Sequence, residues 1–166
     1  MKTVFLIRHA KSSWDYPELR DFDRPLNKRG FRDAPFMAQM LSKKIPSPDK
    51  LVSSPAKRAI TTAGYFAEAF GLTVDDVRQE QGIYEAYAQE LLYIIQHLDS
   101  AWDTVCLFGH NPGFTNLANQ FAKDFISNIP TCGIAQINGD ISNWKDFQRD
   151  KVRLRAFYYP KQFQQK

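Results

Sequence analysis

Two short runs of consecutive apolar residues, at 4–7 and 105–108, constrain the fold of this chain more than any other feature. Strands that are apolar at every position are typical of a sheet that is covered on both faces. Between these runs, apolar residues recur at helical spacing, for example between residues 27 and 44. Strands and helices therefore alternate, and this order predicts an α/β fold: a three-layer α/β/α sandwich around a mainly parallel sheet.

The boundaries of the individual elements follow from apolar patterning and from turn residues. We predict strands at 2–7, 50–53, 77–80 and 104–108, and helices at 27–44, 54–70, 87–98 and 111–123. The expected N-caps are Asn27, Ser54 and Asn111, and Pro35 is expected to kink the first helix or to delay its start. Alternating residues at 133–137 and 151–158 predict strands that form an antiparallel edge of the sheet.

Length and composition favour one domain. The 166 residues fit a single domain, which we place at 1–160, followed by a polar tail at 161–166. Cys106 and Cys132 are too few for a disulfide framework and lack the spacing of a zinc site, so we expect a reducing compartment and no metal. The apolar run at 4–7 is too short for a signal peptide or a membrane span. We therefore expect a cytoplasmic protein without a membrane partner.

Positive charge is concentrated near the N-terminus. The formal net charge of the chain is +4, and residues 1–32 contain eight Lys or Arg against four Asp or Glu. Such a region attracts anionic ligands, which include phosphoesters, phosphoproteins and nucleic acids. A solvated basic surface without a ligand is the alternative interpretation.

Polar clusters directly follow four of the predicted strands. Arg8 and His9 end the first strand, and residues 53–58 follow the second. Glu85 comes after the third strand, and residues 109–110 come after the fourth. Because ligands bind outside the carboxyl ends of parallel strands, we expect these clusters to meet at one edge of the sheet.

The residue types in these clusters favour the binding and transfer of a phosphoryl group. Arg8 and Arg58 supply the planar donor forks that match phosphate, and helix N-termini supply free N–H groups. A neutral histidine is a nucleophile that divides phosphoryl transfer into two steps through a phosphohistidine. His9 and His110 lie at strand ends and are candidates for this role. His97 lies in a predicted helix, and we expect it to be structural or exposed.

Other phosphatase chemistries lack their motifs in this chain. The sequence contains no Gly-rich P-loop, and neither cysteine is followed six residues later by an arginine. Asp21 and Asp23 have the spacing of an aspartyl phosphatase motif, but they do not follow a buried strand. We therefore expect these two acids to pair with the neighbouring Arg20 and Arg24.

Three motifs resemble those of the histidine phosphatase superfamily. They are Ile-Arg-His-Ala at 7–10, Ser-Ser-Pro-Ala-Lys-Arg-Ala at 53–59 and Gly-His-Asn-Pro-Gly at 109–113. Segments 11–14 and 23–30 resemble the SixA-type phosphohistidine phosphatase branch in particular. The resemblance covers about residues 2–120 and implies a phosphoglycerate-mutase-like fold. Ala10 stands where the wider family usually has glycine, which indicates the SixA-like branch.

The resemblance also implies a role for each candidate site residue. His9 would be the phosphorylated nucleophile, and Arg8, Arg58 and His110 would form the phosphate pocket. Glu85 would donate a proton to the leaving group, whereas the alternative is that this loop glutamate orients an arginine. The further candidates for substrate binding are Asn27, Ser13 and Trp14. The alternative for Asn27 is a role as helix cap, and the alternative for Trp14 is packing over the core.

These observations predict a metal-independent phosphatase that needs no cofactor. By resemblance, its substrate is a phosphohistidine protein such as a phosphorelay domain. One alternative is a phosphomonoesterase of the same fold that acts on small sugar or metabolite esters. The alternative of another class is a non-catalytic module that binds phosphate or nucleic acid through residues 1–32. Nucleic acid is not the expected partner, because binding it does not call for two histidines at strand ends.

Overall fold

The computed structural model describes residues 1–164, in which six strands form one sheet with helices on both faces. The strands are β1 (Lys2–Arg8), β2 (Lys50–Ser53), β3 (Val77–Gln79), β4 (Thr104–Gly109), β5 (Ile134–Gly139) and β6 (Arg153–Tyr158). The helices are α1 (Lys28–Lys44), α2 (Lys57–Ala69), α3 (Ala88–Gln96) and α4 (Gly113–Asn119). Short 3-10 helices lie in the connections, at Asp21–Asp23, Val74–Asp76, Gln81–Ile83, Trp144–Asp146 and Pro160–Phe163.

The order of the strands in the sheet is β3-β2-β4-β1-β5-β6. Strands β3, β2, β4 and β1 are parallel, and β5 is antiparallel to both β1 and β6. Strand β1 therefore lies inside the sheet, with Ile7 opposite Phe108 on one side and Ile134 on the other. The predicted mainly parallel sheet with an antiparallel edge is confirmed.

Alternate side chains of β1 point to opposite faces of the sheet, and both faces are covered. Val4 and Leu6 belong to a core with apolar residues of α3 and α4, whereas Phe5 and Ile7 belong to a core with those of α1 and α2. All four side chains are at most 1% exposed. Burial stabilises each of them by about 1.5–3 kcal/mol relative to an exposed position. These two cores explain why the strand is apolar without interruption.

Helix α1 begins where the sequence predicts, and Pro35 does not delay it. Asn27 is the N-cap, and its side-chain oxygen accepts a hydrogen bond from the N–H of Gly30 at 2.9 Å. The helix continues through Pro35, so the expectation of a delayed start is wrong. Ala34 and Met37, on either side of the proline, are completely buried. Their packing against the sheet outweighs the one backbone hydrogen bond that proline removes.

Helix α2 starts later than predicted. It begins at Lys57 instead of Pro55, and Ser54 is not its N-cap. The hydroxyl of Ser54 is engaged elsewhere, because its Oγ lies 2.8 Å from Nε2 of His110. Arg58 is therefore the second residue of the helix, not the fourth as the sequence analysis implies.

Helix α4 is shorter at both ends than predicted. It begins at Gly113, with Pro112 in place of Asn111 as the N-cap, and it ends at Asn119 instead of residue 123. The side chain of Asn119 hydrogen-bonds both the N–H and the carbonyl of Ile126, at 2.7 and 2.8 Å. A side chain that pairs with the backbone in this way competes with continued helix and directs the chain into a loop.

The C-terminal segment is more ordered than a simple polar tail. Pro160–Phe163 form a 3-10 helix, and the ring of Phe163 lies 5.9 Å from that of Phe36 in α1. Residues 165–166 of the tail predicted at 161–166 lie outside the described residues.

We expect Gly30→Ala to destabilise the protein and Gly64→Ala to stabilise it, although both glycines lie in helices. A Cβ at Gly30 would clash with the backbone oxygen of Lys11, whereas a Cβ at Gly64 would meet only Val74, at an ordinary 3.8 Å. Overpacking costs about 1–3 kcal/mol, and alanine in an open helical position gains about 0.5–1 kcal/mol over glycine. Urea unfolding of the two variants checks this. Equal effects would contradict the close packing of α1 on the segment after β1.

Candidate active site

The backbone that follows β1 is fixed by hydrogen bonds from three other parts of the chain. The N–H of His9 donates to the carbonyl of Gly109 at the end of β4, at 3.0 Å. The N–H of Ala10 donates to Oγ1 of Thr62 in α2, at 3.0 Å. The N–H of Cys132, just before β5, donates to the carbonyl of His9, also at 3.0 Å. The carboxyl ends of β1 and β4 therefore meet at His9, as the sequence predicts, together with the start of the antiparallel β5.

The ring of His9 is held in one orientation by the neighbouring residue. Its Nδ1 lies 2.7 Å from the carbonyl oxygen of Ala10, and His9 is only 7% exposed. A carbonyl oxygen only accepts hydrogen bonds, so Nδ1 carries the proton of the neutral ring. Nε2 then keeps its lone pair and is the nucleophilic atom of the side chain.

His110 lies beside His9, with the two ring centroids 5.3 Å apart. Its Nε2 is 2.8 Å from Oγ of Ser54, which also accepts the N–H of Ala56. If the hydroxyl of Ser54 donates to Nε2, the ring proton of His110 resides on Nδ1. Nδ1 is buried and has no hydrogen-bond partner among residues 1–164. An oxyanion next to this ring would supply the missing acceptor.

Arg8 ends β1 with a guanidinium group that is only partly satisfied. One terminal nitrogen donates to the carbonyl of Ile129 at 2.8 Å. The Nε atom is buried and has no partner in the described part of the chain. Burial, and after it the positive charge of Arg58, lower the pKa of Arg8. A desolvated guanidinium with a free donor, close to a second one, favours the binding of an anion.

Arg58 supplies the second guanidinium group, and Asp21 holds one edge of it. One terminal nitrogen donates to the backbone carbonyl of Asp21 at 2.7 Å, and the other donates to its carboxylate oxygen Oδ2 at 3.0 Å. The predicted pairing of these loop acids with Arg20 and Arg24 is confirmed, and the structure shows that Asp21 pairs with Arg24 and Asp23 with Arg20. The contact between Asp21 and Arg58 is additional and was not predicted.

Three donors converge on the carboxylate of Asp21. Besides Arg58 and Arg24, the hydroxyl of Tyr84 donates to Oδ2 at 2.8 Å. Burial acts to raise the pKa of Asp21, but the hydrogen bonds from Tyr84, Arg58 and Arg24 outweigh it and lower this pKa to about 2. Burial and the same hydrogen bond raise the pKa of Tyr84 to about 12. Near neutral pH the carboxylate is therefore ionised and the phenol protonated.

Both histidines of the site are neutral near pH 7. Burial lowers the pKa of His9 to about 3 against the hydrogen bond to Ala10, which acts in the opposite direction, and the neighbouring positive charges add to the lowering. Burial, followed by the charge of Arg58, lowers the pKa of His110 to about 4, against the opposing charge of Asp21. These shifts keep the His9 ring in the neutral form that a nucleophilic attack on phosphorus would require.

Three of the predicted substrate-binding residues make local contacts. The hydroxyl of Ser13 accepts the N–H of Asp15 at 3.0 Å, and the side chain of Asn27 caps α1. Trp14 is 74% exposed, and the guanidinium of Arg24 lies 3.4 Å from its ring centroid. The contact of Asn27 matches the capping role expected as its alternative, whereas the exposure of Trp14 contradicts packing over the core.

Glu85 lies in the loop between β3 and α3 and is exposed. Its φ of 60° falls in the left-handed region, which residues other than glycine rarely adopt. Such a conformation costs about 1–3 kcal/mol and persists only where the surrounding structure imposes it. The N–H of Ala86 donates to the carbonyl of Ile83 at 3.2 Å, which closes this turn. The backbone therefore fixes the direction in which the side chain of Glu85 starts from the loop.

The hydroxyl of Thr62 is a further contact that the sequence analysis missed. It accepts the N–H of Ala10 and donates to the carbonyl of Arg58 at 2.7 Å, so it joins α2 to the loop after β1. Helical periodicity contains a signal for it, because residues 58 and 62 are one turn apart and share a helix face. The approach of Asp21 to Arg58 has no such signal, because it depends on the path of an irregular loop.

The two cysteines are free and completely buried. Cys106 lies in β4, and Cys132 precedes β5 with a φ of 61°. Burial raises the pKa of both thiols. Their role is structural, since the Cys132 backbone supports His9 and the Cys106 side chain packs in the core.

Membrane-spanning helices and metal clusters are absent from the described part of the chain. Within residues 1–164, no helix combines the length and hydrophobicity needed to cross a membrane. The same residues contain no group of three or more His, Cys, Asp or Glu side chains arranged to hold a metal ion.

The site combines the groups that nucleophilic phosphoryl transfer requires. Nε2 of His9 offers an unprotonated nucleophile, and Nδ1 of His110 offers an unpartnered donor. Arg8 and Arg58 add two guanidinium groups, whose fixed charge stabilises a phosphoryl group most strongly in a buried pocket. Together these groups can bind a phosphate dianion and attack it.

Comparisons of the sequence and of the structure with known proteins both find histidine phosphatases. Residues 4–91 match the sequence profile of the histidine phosphatase superfamily (branch 1). An uncharacterized chloroplastic protein of Arabidopsis thaliana is 31% identical over 153 residues, which are 87% of this chain and 70% of that protein. A structure named as the phosphohistidine phosphatase SixA from Agrobacterium tumefaciens superposes with a TM-score of 0.79 at 32% identity, over 96% of this chain and 98% of that one. A protein histidine phosphatase SixA complexed with tungstate superposes with a TM-score of 0.81 at 17% identity, over 98% and 99% of the two chains, and shows the shared fold alone.

We expect the protein to lose stability as the pH falls from 7 to 5, in part because of His9 and His110. The unfolded chain protonates its histidines near pH 6.5, whereas pKa values of about 3 and about 4 keep these two rings neutral in the folded state. The unfolded state thus binds more protons in this range, which makes folding less favourable as the pH falls. Between pH 7 and 5, the free energy of unfolding of His9→Gln should therefore fall by about 1–2 kcal/mol less than that of the wild type. Urea unfolding at both pH values measures the difference.

The exposed His97 provides the matched control for this measurement. His97→Gln removes a histidine without touching the site, so its stability should fall with pH as the wild-type stability does. A fall as steep in His9→Gln as in His97→Gln would contradict a buried and neutral His9.

Proposed function

We propose that this chain, which belongs to the histidine phosphatase superfamily, removes phosphoryl groups from phosphohistidine side chains of proteins through a covalent intermediate at His9. Its family and its likeness to SixA make it a phosphatase, and the proposal concerns its substrate and the roles of its residues. One observation carries the proposal. The 2.7 Å contact between Nδ1 of His9 and the carbonyl of Ala10 leaves Nε2 unprotonated in a buried site with two arginines.

In the first step, Nε2 of His9 attacks the phosphorus atom. A bond forms between Nε2 and phosphorus while the bond from phosphorus to the ring nitrogen of the substrate breaks. The electron pair of the broken bond remains on the substrate ring. A proton on the far nitrogen of that ring makes it leave as neutral imidazole. Nδ1–H of His9 stays bonded to the carbonyl of Ala10 throughout, so the phosphorylated ring is a cation.

In the second step, a water molecule attacks the phosphorus atom of phospho-His9. The new bond is between oxygen and phosphorus, and the electron pair of the broken nitrogen–phosphorus bond returns to Nε2. The protons of the water leave with inorganic phosphate or pass to solvent. His9 returns to its neutral form with the proton on Nδ1. The covalent route thus replaces one difficult displacement by two easier ones.

Arg8, Arg58 and His110 stabilise the phosphoryl oxygens in both steps. Arg8 has a buried Nε without a partner among residues 1–164, and His110 has a buried Nδ1 in the same state. Donors that are already desolvated and fixed need no reorganisation when negative charge develops in front of them. The removal of one such donor typically lowers kcat by about 10²–10³-fold.

The nature of the leaving group determines how much acid catalysis the reaction needs. Imidazole has a pKa near 6.5, so it leaves readily once its ring carries a proton. An alkoxide is a far poorer leaving group and needs a proton in the transition state, worth about 10²–10⁴-fold in rate. We assign this donor role to Glu85 for ester substrates only. Its exposed position and its imposed backbone direction are consistent with this assignment.

A protein-borne substrate is supported by the open surroundings of the site. Only residues 80–87 connect β3 to α3, which leaves little chain to close over a small ligand. Trp14 and Tyr87, in the segments after β1 and β3, are 74% and 76% exposed. Aromatic side chains presented in this way are typical of protein contact surfaces. The likeness to a structure named as a phosphohistidine phosphatase, at 32% identity, supports the same substrate class.

We expect wild-type protein, but not His9→Ala, to trap label from a radiolabelled phosphodonor in a rapid-quench experiment. The trapped species should be labile to acid and stable to alkali, as expected for a phosphorus–nitrogen bond. His9→Ala should lower kcat by about 10⁴-fold or more, because it removes the nucleophile. Exposed His97 again gives the control, and His97→Ala should trap label as wild type does. Turnover by His9→Ala at the wild-type rate would show that His9 is not the nucleophile.

The choice of donor in the same experiment tests the substrate. A phosphorelay domain that carries phosphohistidine should react with a higher kcat/KM than p-nitrophenyl phosphate. The reverse order would favour a phosphatase of small esters. If no donor reacts and inorganic phosphate still binds, the chain is a phosphate-binding module instead.

We expect Glu85→Gln to separate the two kinds of substrate. With an alkyl phosphate, kcat should fall by about 10²–10⁴-fold and the acidic limb of the pH–rate profile should change. With the phosphohistidine protein, kcat should change by less than about threefold, because imidazole needs no donor in the site. An unchanged rate with the alkyl phosphate would remove Glu85 from the mechanism.

A further inference from the structure

The loop between β1 and α1 reaches the phosphate-binding arginine through one carboxylate, that of Asp21. We propose that Asp21 is a positioning residue: it fixes the guanidinium group of Arg58 in the orientation that binds the phosphoryl group. This inference deepens the proposed function and depends on it for the role of Arg58. No motif in the sequence assigns this role to Asp21.

The contact between Asp21 and Arg58 fixes both the direction and the plane of the guanidinium group. One terminal nitrogen of Arg58 bonds the backbone carbonyl of Asp21 at 2.7 Å, and the other bonds its carboxylate at 3.0 Å. Two contacts from different nitrogens prevent rotation about the end of the side chain. A guanidinium has five N–H donors, so three remain for a ligand. The side chain of Arg58 is 8% exposed, which leaves few other partners for it.

The carboxylate of Asp21 is itself held from two other sides. The hydroxyl of Tyr84 bonds Oδ2 at 2.8 Å, and a terminal nitrogen of Arg24 bonds Oδ1 at 3.0 Å. Arg24 is buried and also donates to the carbonyl of Ser13, at 3.0 Å. Asp21 is half exposed, yet its position is set by three separate partners. It can therefore act as a fixed support for Arg58.

Electrostatics alone would not favour a carboxylate at this place. Asp21 is ionised near neutral pH and lies in direct contact with an arginine of the anion site. Its negative charge repels a phosphate dianion, and it offsets part of the attraction that Arg58 provides. If Asp21 positions Arg58, removal of its charge should therefore weaken anion binding. If Asp21 acts only as a negative charge, removal of the charge should strengthen anion binding. This difference in sign makes the proposal testable without turnover.

Asp21→Asn removes the charge and keeps the size of the side chain. The amide has one acceptor oxygen, whereas three donors point at the two carboxylate oxygens, so its NH₂ group must face a donor from Tyr84, Arg58 or Arg24. Asp23→Asn is the matched control, because it makes the same change two residues away. Asp23 pairs with the exposed Arg20 and has no hydrogen bond to Arg58 among the described residues.

The first measurement is the affinity for tungstate, by calorimetry. If Asp21 positions Arg58, Asp21→Asn should bind tungstate about 3–10-fold more weakly than Asp23→Asn does, despite the loss of a repelling charge. Side-chain NMR should show the guanidinium signals of Arg58 as slowly rotating in wild type and as averaged in Asp21→Asn. Unchanged or tighter tungstate binding by Asp21→Asn would overturn the proposal, as would unchanged Arg58 signals.

The second measurement is steady-state turnover of p-nitrophenyl phosphate. Misplacement of a transition-state donor should lower kcat/KM of Asp21→Asn by about 10–100-fold, with most of the loss in kcat. A loss explained by the unfolded fraction at the assay temperature would indicate a structural role only and would overturn the proposal. Tyr84→Phe, which removes one donor to Asp21 and keeps the ring, should weaken tungstate binding in the same direction by about two- to threefold. It therefore decides the question if Asp21→Asn does not fold.

The outcomes for Asp21 and for the proposed function are distinguishable. Tungstate binding and the Arg58 signals do not require catalysis, so they test Asp21 even in a protein that turns over no donor. Failure of His9 to form a phosphoenzyme would remove the proposed mechanism and leave these two readouts unaffected. Normal phosphoenzyme formation with unchanged tungstate binding in Asp21→Asn would remove only the role of Asp21.

Discussion

The peptide groups next to His9 are hydrogen-bonded to Gly109 in β4, to Thr62 in α2 and to Cys132 just before β5. Each of these contacts needs the parallel pairing of β1 with β4, the packing of α2 on one face of the sheet, or the antiparallel return of β5. The orientation of His9, the proposed nucleophile, thus depends on the whole sheet. The two apolar cores hold the sheet, the sheet holds this backbone, and the carbonyl of Ala10 sets the tautomer of the ring.

The same burial that fixes the site also determines its charge. Both histidines are neutral because they are desolvated, and burial also lowers the pKa of Arg8. Among residues 1–164, Nε of Arg8 and Nδ1 of His110 are buried without a hydrogen-bond partner, and Asp21 offsets part of the positive charge of Arg58. A phosphoryl dianion would supply acceptors to both atoms and further negative charge to the arginines.

The parts of this protein that follow from periodicity could be predicted from the sequence. The strands β1, β2 and β4, the convergence of Arg8 and His9 with residues 109–110, and the antiparallel edge all depend on apolar runs and on the residues that end them. Helix ends were less predictable where a side chain prefers a tertiary partner. The sequence predicts Ser54 as the N-cap of α2, but α2 begins later, and the hydroxyl of Ser54 contacts His110, 56 positions away, besides the nearby N–H of Ala56.

Contacts made by irregular backbone could not be predicted. The backbone path of residues 9–24 brings Asp21 into contact with Arg58, and no local sequence pattern in the loop predicts that path. Likewise, the carbonyl of Ile129 that bonds Arg8 lies 121 residues away in sequence, in a segment without apolar periodicity. The sequence does not indicate which backbone carbonyl accepts such a hydrogen bond, because every residue has a carbonyl group.

The complete burial of Cys106 and Cys132 has a practical consequence for how this activity can be observed. Thiols that are inaccessible and held in the protonated form do not react with alkylating reagents or mild oxidants. Phosphatases that use a cysteine nucleophile are inactivated by the same reagents. This enzyme should therefore remain active when iodoacetamide is added to a mixture of phosphatases. Its activity can then be measured in the mixture, before purification, as part of the activity that remains.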